Sequence, residues 1–183
     1  MNLVSHKFSN HKPRLDTEIL ILGTFNPNVP EGPDFFYGRP RNFLWSLLPG
    51  VWGLESLKEA GLKTKKEFLN LYLIDFVDLI DSLEVAEGEE SNVDDDFIDG
   101  HVLKWKEINQ IIETLPNLKA VYFTRKTFNG IPQMKAKILI IEQYCRLKGI
   151  RFCKLETPSR FTSAEKQQMW IDTILLQKIC LRA

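Results

Sequence analysis

Glu18-Ile19-Leu20-Ile21-Leu22-Gly23-Thr24-Phe25-Asn26-Pro27 is the stretch on which the reading of this chain turns. Four consecutive apolar residues stop at a glycine. A short apolar run bounded in this way is the pattern of a strand buried on both faces of a parallel sheet. Working outward, Ala120-Val121-Tyr122-Phe123 and Ile150-Arg151-Phe152-Cys153-Lys154-Leu155 read as further strands, while residues 73–80 suit a strand or a helix end equally. Helical spacing lies between them, at 42–48, 65–73, 103–115, 135–148 and 163–176. Pro116 ends one of these helices and Gly149 another. Strands alternating with helices of this length predict an α/β chain, a parallel sheet with helices on both faces.

The bulk numbers fit that expectation. The chain has 183 residues, enough for one domain spanning 1–183 with a core of its own. It is 44% hydrophobic and 26% charged, which excludes disorder, collagen and a coiled coil. Its 24 basic residues balance 24 acidic ones, so a uniformly basic nucleic-acid glove is excluded, but a local basic patch is not. Cys145, Cys153 and Cys180 include no CxxC pair, and the three histidines lie far from them in sequence; neither a disulfide framework nor a metal site is expected. Residues 1–12 are polar and no apolar run approaches the ~20 residues of a membrane span, so a cytoplasmic protein with no membrane contact is expected. Residues 84–99 hold eight acidic side chains and no basic one, and read as a solvated acidic loop.

Ligands of open parallel sheets bind at the carboxyl ends of the strands. The segments just beyond those ends therefore carry the candidate chemistry. After the first strand come Gly23, Thr24, Phe25 and Asn26, then an aromatic loop with Tyr37, Arg39, Arg41 and Asn42; after the later strands come Thr124-Arg125 and Thr157-Pro158-Ser159-Arg160-Phe161. Gly23 allows close backbone approach to a ligand. Asn26 brings a carboxamide able to orient a water, and Tyr37 a flat face on which a base can stack. Half of the eight arginines, Arg39, Arg41, Arg125 and Arg160, sit in these loops, and guanidinium groups grip phosphates in a bidentate manner. The neutral total thus leaves room for a basic rim around one cleft.

The order of these elements resembles the uracil-DNA glycosylase superfamily, specifically its mismatch-specific uracil/thymine and hypoxanthine-DNA glycosylase-like branches. Gly23-Thr24-Phe25-Asn26-Pro27, followed by an aromatic and by Arg39-Pro40-Arg41-Asn42-Phe43-Leu44-Trp45, is similar to the first motif of that superfamily, with Arg39 where a histidine is usual. Thr157-Pro158-Ser159-Arg160 is similar to its second motif. The resemblance implies a three-layer α/β/α sandwich around a mostly parallel four-stranded sheet. It implies a DNA glycosylase that hydrolyses the N-glycosidic bond of a damaged or mismatched base, uracil, thymine or hypoxanthine. By the same resemblance Asn26, or else Asn42, orients the water. Gly23, Thr24, Phe25, Tyr37, Thr124 and Ser159 line the base slot, with Tyr37 or Phe25 stacking on the base. Arg39, Arg41, Arg125 and Arg160 meet the DNA, and Phe161 either fills the gap left in the stack or staples the following helix. No cofactor is implied, and DNA rather than another protein is the expected partner. The Arg39 and Thr157 departures keep two alternatives open: a catalytically impaired nucleic-acid-binding protein of the same fold, and a hydrolase of small nucleotides or nucleosides.

Overall fold

A computed structural model of the chain describes residues 1–175. Seven strands run as β1 (Asn2–Ser5), β2 (Ile19–Gly23), β3 (Ile74–Asp78), β4 (Ile80–Val85), β5 (Val102–Trp105), β6 (Ala120–Phe123) and β7 (Arg151–Lys154). The helices are α1 (Leu44–Gly50), α2 (Leu62–Leu71), α3 (Asp95–Gly100), α4 (Ile108–Glu113), α5 (Pro132–Leu147) and α6 (Ala164–Ile174).

The central sheet has four parallel strands in the order β3-β2-β6-β7. The apolar run at 19–22 is its interior strand β2, in register with Ile74–Val77 on one side and Ala120–Phe123 on the other. Successive residues serve opposite faces. Leu20, Leu22, Val121 and Phe123 point into a core completed by Ile108 and Ile112 of α4 and by Met134, Ile138, Ile141 and Cys145 of α5. Ile21, Phe76, Ala120 and Tyr122 point into a second core with Trp45, Leu47 and Leu48 of α1, Phe68 and Leu69 of α2, and Trp170 of α6. Burial on both sides explains why the interior strands β2 and β6 lack polar alternation. The three-layer α/β/α expectation is met.

The ambiguous 73–80 stretch resolves into two strands belonging to different sheets. Ile74–Asp78 joins the parallel sheet, and after Leu79 the chain enters β4, the middle strand of a three-stranded antiparallel sheet in the order β1-β4-β5. The sequence expectation did not include this second sheet. Its edge strand β1 arises from the polar N-terminal segment, and β5 from the front of the stretch expected to be helical over 103–115, which is helical only as α4. Leu83 and Val85 of β4 face the first core while intervening positions face solvent, so this small sheet follows the half-exposed pattern.

Several ends follow from local chemistry. Pro132 occupies the first turn of α5, where its missing N–H costs nothing, and Gly149 beyond it takes φ +69°. The Ser163 side chain accepts the Lys166 backbone N–H at 3.1 Å and starts α6. The expected extension of α6 to 176, and Cys180, fall outside the described residues. Among the described residues no helix is long and apolar enough to cross a membrane.

Candidate functional site

The C-terminal ends of the parallel strands open into a cleft of about 930 Å³. Two loops far apart in sequence meet there. Phe43 donates its backbone N–H to the Pro158 carbonyl at 2.8 Å, Arg160 donates to the Arg41 carbonyl at 2.9 Å, and Asn42 and Ser159 form an isolated antiparallel bridge. The loop after β2 and the loop after β7 are zipped together by backbone hydrogen bonds. The N-terminal strand holds the first of them: Lys7 donates to the Asn26 carbonyl at 2.8 Å and Asn28 to the Ser5 carbonyl at 2.9 Å.

The cleft is lined by Gly23, Thr24, Phe25, Asn26, Tyr37, Arg39, Arg41, Asn42, Thr124, Arg125, Ser159 and Arg160. Every residue singled out in the sequence is thus brought to one place except Phe161. That side chain stands 60% exposed one residue beyond Arg160, with the Lys166 ammonium 4.1 Å from its ring centre. Tyr37 and Arg160, two of the three non-glycine residues at positive φ among the described residues, both lie in the cleft. Such backbone costs of order 1–3 kcal/mol and persists only where the surroundings enforce it. Trp45 helps to enforce it at Tyr37 by donating Nε1–H to the Phe36 carbonyl at 2.9 Å.

The individual geometries refine the expected roles. Asn26 donates Nδ2–H to Asp78 Oδ2 at 2.6 Å, which leaves its carbonyl oxygen as the free acceptor of the carboxamide. The Asn42 oxygen is already occupied, accepting the Leu44 N–H at 3.0 Å at the start of α1. The Thr124 hydroxyl donates to the Leu22 carbonyl at 3.2 Å and takes the Tyr37 hydroxyl at 3.3 Å, so it supports Tyr37 instead of offering a donor to a ligand. Burial, reinforced by the Asp78 charge and partly offset by Thr124, holds the Tyr37 phenol well above its ordinary value, so the group stays a neutral donor. The Phe25 ring belongs to the core and meets His6 edge-on at 5.6 Å, which leaves Tyr37 as the aromatic available to the slot.

The basic rim is only partly as expected. Arg125 donates to Asp95 through Nη1 and to the Thr127 carbonyl through Nε at 2.7 Å, so its charge is spent inside the protein. Burial lowers the Arg39 guanidinium from its usual value, and its Nη2 is buried without a hydrogen-bond partner among the described residues. Residues 94–96 also correct the sequence reading. Residues 86–94 are a largely exposed loop as expected, but Asp94, Asp95 and Asp96 line the cleft, Asp95 opens α3, and the buried Asp99 caps α5 by accepting the backbone N–H groups of Gln133 at 3.0 Å and Met134 at 2.6 Å. The Asp95 carboxyl is raised by burial even though Arg125 and Thr24 pull it down.

Asp78 was not among the expected site residues. It ends β3 opposite Gly23, and a Cβ on Gly23 would overlap its carboxylate and stand 2.9 Å from the Tyr37 hydroxyl. Gly23 is therefore required by the packing of these two groups. The strand-end rule would have found Asp78 had residues 73–80 been divisible from sequence. No local signal marks His6, which reaches Asp78 from the N-terminal segment.

No protein-family model matches the chain. A hypoxanthine DNA glycosylase of Methanosarcina barkeri is 31% identical over 114 residues, covering 61% of this chain and 65% of that protein, just under two thirds of the relative's length. In fold, the chain is similar to the solution structure of a candidate uracil DNA glycosylase from Methanosarcina acetivorans, with a TM-score of 0.56, 20% identity, and coverage of 86% of this chain and 89% of the other. With the parallel sheet, its two helical layers and the two joined loops, these likenesses bear out the resemblance to the uracil-DNA glycosylase superfamily, whose fold this chain has.

Proposed function

We propose that the protein is a DNA glycosylase, hydrolysing the N-glycosidic bond of a damaged or mismatched base, with uracil, mispaired thymine and hypoxanthine as the candidate bases. The observation that carries this reading is the junction of the 39–43 and 157–160 segments beside Asn26 at the strand ends. It makes a polar slot with a carboxamide oxygen, a neutral phenol and guanidinium groups around it.

In this reading the target nucleotide leaves the helix at a cost of a few kcal/mol, least for a mispaired base. Tyr37 flanks the extruded base, and Asn26 accepts a hydrogen from the water that attacks the sugar. No strong base is needed, because the bond breaks largely ahead of the attack and the water needs placing more than deprotonating. Donors preorganised around the slot stabilise the charge that develops on the departing base. Arg41 and Arg160, joined through their backbones, hold phosphates of one strand. Phe161, exposed next to Arg160, enters the vacated stack in this reading.

The test is a panel of duplexes carrying one uracil, one mispaired thymine or one hypoxanthine, incubated with the protein and then cleaved by alkali at abasic sites. The expected outcome is strand scission for at least one lesion, slowed sharply but measurably in Asn26→Ala. Intact strands in every case with excess protein would reject the reading. The acidic residues at 94–96 favour one second reading, a hydrolase of small nucleosides or nucleotides, because they oppose a long polyanion. Free nucleosides that bind while duplex DNA does not would select it.

A further inference from the structure

Three buried polar side chains form a line from the N-terminal segment to the cleft. The His6 side chain is 0% exposed and the Asp78 side chain 2%. The Phe8 backbone N–H donates to His6 Nδ1 at 3.0 Å, so Nε2 bears the ring proton and donates to Asp78 Oδ2 at 2.7 Å. Asn26 Nδ2 donates to the same oxygen at 2.6 Å. The imidazole is fixed by three aromatic rings, Phe8, Phe25 and Phe36, at centroid distances of 5.9, 5.6 and 6.1 Å. Burying such a chain is costly unless each member is satisfied. Here each link has a direction: a carboxylate can only accept, so it selects the amide side of Asn26 and turns the carbonyl side away.

We propose that Asp78, backed by His6, is a positioning residue of the glycosylase site, locking the Asn26 carboxamide with its oxygen toward the water that attacks the sugar. The inference rests on the reading of Asn26 given above and adds two residues from outside the two loop motifs. Three details agree with it. Gly23 lacks a side chain where one would displace the Asp78 carboxylate. The His6–Pro27 bridge and the bond from the Lys7 backbone N–H to the Asn26 backbone carbonyl tie the histidine's backbone to the turn that carries Asn26. An asparagine at 78 would preserve shape and volume, yet it offers both a donor and an acceptor and so permits the Asn26 amide to flip.

The experiment measures single-turnover base release and, separately, affinity for the lesion duplex, in wild type, Asp78→Asn, His6→Gln, Asn26→Ala and the double variant Asp78→Asn/Asn26→Ala, with thermal unfolding as the folding control. Misplacing a reacting group by about 1 Å can cost on the order of 10²-fold. On that scale Asp78→Asn is expected to slow release by about 10²-fold and His6→Gln by a smaller factor, both with affinity nearly unchanged. In the Asn26→Ala background the Asp78→Asn change should have almost no further effect. Full-rate release by Asp78→Asn, or losses that multiply in the double variant, would overturn the proposal. If Asp78→Asn fails to fold, His6→Gln and its double with Asn26→Ala decide by the same criterion. Absence of release by the wild type on every lesion overturns the glycosylase reading itself, an outcome separate from an active wild type with an indifferent Asp78→Asn.

Discussion

Two stretches of the cleft rim carry opposite charge. Arg39, Arg41 and Arg160 belong to the two loops joined by backbone hydrogen bonds, and none of the three appears in an ion pair among the described residues. At the other stretch, Asp94, Asp95 and Asp96 line the cleft together with Arg125, whose charge Asp95 neutralises. The chain's zero net charge therefore conceals an uneven cleft. A polyanion has purchase on the first stretch and meets repulsion at the second, so the difference would set on which side a strand lies. The two stretches also differ in rigidity of construction: the basic one is clamped through main-chain bonds, the acidic one through a side-chain pair.

The largest expected effect breaks the floor beneath both stretches. Gly23→Ala places a methyl on the Asp78 carboxylate, so base release should be lost, with a stability loss of about 1–3 kcal/mol typical of overpacking; activity and thermal unfolding together test this. Next, Arg41→Ala and Arg160→Ala should each weaken duplex binding across all sequences and lower the slope of log affinity against log salt by about one, as for a single phosphate contact. Arg125→Ala should change that slope far less, since its partner is Asp95. Asp95→Asn should act in the opposite direction, releasing Arg125 and tightening binding at low salt; unchanged or weaker binding would contradict the contrast between the stretches. The smallest effect concerns stability and pH. Because burial raises the folded-state Asp95 carboxyl above its unfolded value, protonation favours the fold, and its stabilising contribution is lost as pH rises through the folded value. Asp95→Asn should therefore compare most favourably with wild type in melting temperature near neutral pH, and that advantage should shrink as pH falls into the carboxylate range.

Much of the architecture is legible in short runs. Residues 19–22 and 120–123 declare themselves because an interior strand covered on both faces has no polar positions to interrupt it, whereas the edge strand at 151–154 keeps Arg151 and Lys154 half-buried at its ends. Residues 73–80 do not, since the strand that ends at Asp78 and the strand that begins at Ile80 follow one another with a single residue between them, yet enter sheets of different type. The acidic stretch misleads for a related reason. Composition reports the charge of Asp95 and Asp99, but not that Arg125 and the start of α5 are waiting for them.

By itself, the order of apolar runs and turn residues determined a parallel sheet, the helices that cover it, and the loops that gather at its carboxyl end, because burial and backbone geometry act over a few residues at a time. Only the tertiary structure decided that the 39–43 and 157–160 segments join, that Arg125 is spent on Asp95, and that His6 and Asp78 stand behind Asn26. Those facts depend on the direction of single hydrogen bonds between residues tens of positions apart. Such directions are set when the two cores close around the sheet, and no local pattern encodes them.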